Sequence, residues 1–145
     1  MDIPIRELRL SLEVLAHDPT KGRWQRLGDK ATIPDNAISH MEDMQGRLCR
    51  ELEILWRRSK NRWFGRFAFS LAHVRLEMDT AKISPSGHCE PQSLFMERDF
   101  PLDGTVALED FGEHMVSCFG QVFEKFLAEC GRRVYGAAPS RLRIQ

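Results

Sequence analysis

The residues able to do covalent or metal chemistry are few. His114 and Cys118 stand one helical turn apart, and His88 is followed directly by Cys89. Their spacing matches no standard zinc pattern, so no metal is assigned. Cys118 falls within an apolar stripe, where burial raises a thiol's pKa and suppresses the reactive thiolate, which weakens a Cys118–His114 nucleophile pair. Glu97, Asp99, Asp103, Glu109, Asp110 and Glu113 form an acidic stretch interrupted only by Arg98. Two of these carboxylates could act as acid and base. The simpler reading is a solvated rim and a helix start, with negative charge favoured by the helix dipole. The sequence has no P-loop, no GxGxxG, no nucleophile elbow and no HExxH. An enzyme is therefore the least supported class, and no cofactor is expected.

A second constellation is basic and aromatic. Trp56, Arg57, Arg58, Lys60, Arg62, Trp63 and Arg66 lie within eleven residues that contain five cations and no acid. Cations that meet phosphate or an acidic protein surface, with rings between them, make a binding patch. Alternatively the rings turn into the core and the arginines close a helix.

Residues 24–42, WQRLGDKATIPDNAISHME, resemble the helix-turn-helix of phage-repressor-type DNA-binding proteins. Gly28, Ala31, Ile33, Ile38 and Met41 occupy that family's small and apolar places. The resemblance implies a recognition helix with Asp35, Asn36, Ser39 and His40 toward the major groove, where Asn36 would read adenine and Ser39 a base or phosphate. The same apolar spacing also suits an ordinary packed helix pair.

Composition bounds these readings. The 145 residues are 42% hydrophobic and carry 21 basic and 21 acidic side chains, so formal charge cancels. A length near the mode of domain sizes favours one domain with its own core. Zero net charge argues against a general phosphate-coating role and leaves no repulsion between copies. Asp2, Arg6, Glu7, Arg9 and Glu13 break any signal-like apolar run, and the longest uncharged runs, 67–74 and 114–123, are about half the ~20 residues of a membrane helix. A cytoplasmic chain that does not span a membrane is expected. Four cysteines without CxxC spacing read as reduced thiols.

The supporting elements follow from periodicity. Ile5, Leu8, Leu12 and Leu15 have helical spacing and predict a helix from Asp2 to Asp18, stopped by Asp18–Pro19. Residues 19–34 read as a connector. Ile38, Met41, Leu48, Leu52 and Leu55 predict a second helix from Asp35 to the basic run at 57–60. Residues 63–83 fit both helix and strand; the alternation at 74–80 and the turn chemistry of Ser84–Pro85–Ser86–Gly87 favour a strand, paired with a short one at 93–99. A long final helix is predicted from Thr105 to Gly131, striped by Leu108, Phe111, Met115, Val122 and Phe126.

The expected fold is α+β, three main helices with a small antiparallel hairpin, or alternatively an all-α helical bundle. One domain spans 1–135, with a flexible, weakly basic tail at 136–145. The expected function is a non-catalytic protein-interaction module of adaptor, chaperone, immunity or inhibitor type, self-associating through the last helix. Its partner-binding groups are the patch at 56–66 and the acids Glu97, Asp99, Asp103, Asp110 and Glu113. The alternative is a DNA-binding regulator using Asn36, Ser39 and His40.

Overall fold

A computed structural model describes residues 5–34, 41–63, 67–102 and 108–134. The order of elements is β1 (Glu7–Asp18), β2 (Arg23–Pro34), α1 (Met41–Trp63), β3 (Ala68–Ile83), β4 (Cys89–Pro101) and α2 (Leu108–Val134). The four strands form one antiparallel sheet in the order β2-β1-β3-β4. Both helices lie on one face, α1 toward β1 and β2, α2 toward β3 and β4. The fold is α+β as expected, but it has four long strands and two helices, neither three helices with a small hairpin nor an all-α bundle.

The largest correction is at the N-terminus, where the expected helix is strand β1. Leu8, Leu10, Leu12, Val14 and Ala16 alternate with Glu7, Arg9, Ser11, Glu13 and Leu15, and every member of the first set is fully buried. A period of two seals one face of a strand, whereas a helix would scatter those leucines around its circumference. The connector at 19–34 is likewise β2, paired with β1 along its whole length. Residues 24–34 are therefore extended, so no first helix of a helix-turn-helix exists. Asn36, Ser39 and His40 lie outside the described residues, as do 135–145.

Each hairpin turn is closed by local chemistry. Between β1 and β2 the Asp18 carboxylate accepts hydrogen bonds from the Thr20 N–H (2.9 Å) and hydroxyl (2.7 Å), and the Gly22 N–H donates to the Asp18 carbonyl at 2.8 Å. Gly22 has φ +63° and Gly87, in the β3–β4 turn, φ +86°, a region that favours glycine. Of the strand expected over 63–83, β3 covers Ala68–Ile83 while Trp63 ends α1; the short strand expected at 93–99 is the longer β4, Cys89–Pro101, and the turn at 84–87 lies between them.

The helices supply the other half of the core. α1 buries Met44, Leu48, Leu52 and Leu55, with Trp56 beside them, and α2 buries Phe111, Met115, Phe119, Phe123, Cys130 and Val134; apart from Trp56 the steps are three, four and seven. Glu109 and Asp110 open α2 and Arg132 and Arg133 close it, complementing its dipole. The helices approach closely where Gly112 meets the Trp56 indole, whose ring lies 4.9 Å from that of Phe111.

Candidate interaction surfaces

Strand alternation sends one set of β-sheet side chains into the core and the other to a face that neither helix covers. On that second face the charges are organised across strands. Arg9, at the centre, grips Asp79 with two hydrogen bonds (2.6 and 2.9 Å), Glu77 at 2.8 Å and Glu7 at 2.7 Å. Arg75 bonds Glu77 at 2.9 Å and also Glu97, and its guanidinium lies 4.2 Å from the Phe95 ring centre. His73 Nδ1 is 2.6 Å from Asp99. Opposite Glu13 the absence of a side chain at Gly28 leaves a depression of about 400 Å³, bordered by Ser11, Lys30 and Arg75. A Cβ there would lie 3.0 Å from the Glu13 Cγ.

Hydrogen bonds from Arg9, and for Glu77 also from Arg75, hold the Asp79 and Glu77 carboxyls below their ordinary range. Their contribution is present above the unfolded carboxylate pKa and is lost as pH falls through the depressed value. In Arg9→Met the stability measured by urea titration should decline less between about pH 7 and about pH 3 than it does in the wild type. An unchanged acid limb would show that the clasp contributes nothing to the linkage. These groups are about one-third exposed, so solvent screening keeps the effect modest.

The structure divides the basic aromatic patch. Trp56 is buried in the core and Trp63 packs partly against it. Arg57 pairs with Glu53 at 3.0 Å, Arg58 reaches Asp29 of β2 at 3.9 Å, and Arg62 lies 5.4 Å from the centre of the Trp63 ring. Lys60 is half-buried, and Arg66 lies outside the described residues. The acids separate as well. Glu97 and Asp99 sit on β4 facing away from the helices, while Asp110 and Glu113 are exposed on α2 across the sheet; Asp103 is not among the described residues. The expected site residues do not include the Arg9 clasp, although Glu7 and Arg9 on β1, and Arg75, Glu77 and Asp79 on β3, each repeat at intervals of two, the signal of a strand face.

One larger pattern emerges from the topology. β2 and α1, which share one side of the molecule, carry nine Lys or Arg against five Asp or Glu. β4 and α2, on the other side, carry eight acids against four bases. Neutrality is thus a sum over two oppositely charged flanks.

Chemically active groups are sparse. His114 and Cys118 approach to 3.8 Å on α2. The end of α2 that borders Glu90, beside His88 and Cys89, is its C-terminal one, about 27 Å along the axis from His114, so the two pairs are not brought together. Among the described residues no group of three or more His, Cys, Asp or Glu could hold a metal ion. Burial pushes the Cys49 thiol up, and the Cys130 thiol up to about 12. No helix among the described residues is long and apolar enough to cross a membrane. No family model matches the sequence, and no curated protein or solved structure matches it either.

Proposed function

We propose that the chain is a non-catalytic interaction module acting in the cytoplasm, of the adaptor, chaperone, immunity or inhibitor kind. Its basic flank, formed by β2 and α1, receives an acidic surface of a protein partner. The observation that carries this reading is the separation of charge across the sheet, since a field of that kind steers a partner of opposite sign and sets its orientation. The cations at the end of α1 project from a helix whose apolar face is fixed in the core, which holds Arg57, Arg58 and Arg62 outward on a rigid support. Further support comes from the high thiol pKa of Cys49 and Cys130 and from carboxylates held ionised by arginine, neither of which suits a nucleophile or a general acid.

The test is to isolate complexes from the source cells, identify the stoichiometric protein component and reconstitute the pair from purified proteins. Association should slow steeply as salt rises, and replacing Arg57, Arg58 and Arg62 by glutamate should weaken binding by about tenfold or more. A reconstituted complex indifferent to both changes overturns the reading. So does salt-dependent binding of arbitrary duplex DNA by the purified chain.

A further inference from the structure

The sheet ends at β4, and its outer edge is open. Two prolines reveal how that edge is presented. Pro91 and Pro101 stand opposite Ala81 and Leu71 of β3, and a proline in a paired strand must direct its nitrogen away from the ladder. The direction alternates along a strand, so Ser93, Phe95, Glu97 and Asp99 also turn their N–H and C=O groups outward. The next even position agrees, because the Leu102 N–H donates inward to the Ser70 carbonyl at 2.9 Å. Four consecutive outward residues therefore offer unpaired backbone groups.

Three side chains on this strand are left in unusual states. Phe95 is 56% exposed. The Gln92 side-chain oxygen is buried without a hydrogen-bond partner among the described residues. Arg98 forms no ion pair among them. Beside the edge lies a cleft of about 350 Å³ floored by Leu94, Phe126 and Cys130.

We propose that β4 pairs antiparallel with β4 of a second copy about a two-fold axis at Phe95, joining two sheets into one of eight strands. In this register Phe95 faces Phe95 of the second copy, an aromatic cross-strand pair. Leu94 faces the second copy's Met96, which enters the cleft. Gln92 faces the second copy's Arg98, a cation with N–H groups to donate to the orphaned oxygen, and Glu97 faces Ser93. Centring the pair on Glu97 instead would oppose two like charges.

Other occupants fit less well. A strand contributed by the residues after α2 and parallel to β4 would need a crossover on the same helix face and in the same direction across the sheet as β2–α1–β3. β4 runs opposite to β2, so that crossover would have the opposite hand, and about 98% of such connections are right-handed. β2, the other edge, carries Arg26 and Lys30 on its helix-free side, charge of the kind by which sheets discourage a neighbour. The pairing does not rest on the proposed function, because it leaves the basic flank uncovered.

Sedimentation velocity of the wild type should show a dimer. In Phe95→Pro the missing N–H lies on the open edge, so the β3–β4 ladder is kept while the dimer dissociation constant rises by about 10–100-fold. An unchanged far-UV spectrum would verify the fold. In a Cys89→Ser background, Phe95→Cys should form an intermolecular disulfide, since directly opposed residues have Cα atoms about 5.5 Å apart. Asp99→Cys, about 27 Å from its counterpart, should not. A monomeric wild type, a dimer that Asp99→Cys links in preference to Phe95→Cys, or an open-ended polymer overturns the proposal.

Discussion

Gly112→Ala is expected to destabilise the protein by about 1–3 kcal/mol, measured by chemical denaturation. In a helix that is solvated at this position the change would gain about 1 kcal/mol, because alanine is the better helix former. The packing reverses the sign. A Cβ at residue 112 would stand 2.5 Å from Trp56 Cδ1 and 2.9 Å from Nε1, well inside van der Waals contact. Trp56 cannot swing away freely, since its ring also packs against Phe111 and is only 5% exposed. Gly131, lower on the same helix, is the internal comparison: nothing lies within 4 Å of its Cβ position, so Gly131→Ala should gain up to about 1 kcal/mol. Shortening Trp56 to leucine should make the Gly112→Ala change less costly than in the wild type, a coupling that a double-mutant cycle reads. A stabilising Gly112→Ala would mean that the two helices do not meet there.

Leu12→Ala should cost about 2–5 kcal/mol in the same measurement. β1 is a central strand, and Leu12 lies fully buried on its covered side, with Asp29 and Val74 as its neighbours in β2 and β3. Its removal leaves a void under α1, where the surrounding strands are hydrogen-bonded on either side and cannot collapse inward. Ser11→Ala, one position earlier and on the helix-free face, should fall within about 0.5 kcal/mol of wild type. Equal losses at residues 11 and 12 would refute the assigned register.

That register was available in the sequence and was obscured by one residue. Leu15 sits on the helix-free face yet completes a helical series with Ile5, Leu8 and Leu12, so the alternation that is strict from Leu8 to Val14 competed with a plausible helix. β2 was hidden for another reason. An edge strand is covered on less of its surface, and its inward positions Gln25, Leu27, Asp29, Ala31 and Ile33 are only partly apolar; Gly28 and Pro34 then read as breakers. The helix-turn-helix resemblance arose from these same residues, because a half-apolar strand entering a helix imitates two short helices. The long helices were legible because each buries an unbroken stripe. The stripe of α2 runs through Phe119 and Phe123, while Val122 and Phe126 are half-buried beside it. The separated charge flanks could not be read from the chain alone, since they depend on which helix lies over which strands.

The strand order β2-β1-β3-β4 also sets a sequence of events in time. β1–β2 and β3–β4 are hairpins whose partners lie close along the chain, and each can form locally. The β1–β3 seam joins Glu7 to Asp79 and His17 to Ala68, with all of α1 between them. Loop-closure entropy must be met there before the contacts repay it, so the seam governs the folding rate. Leu12, at its middle, should therefore retard folding when truncated, whereas Leu94 in the outer hairpin should mainly hasten unfolding.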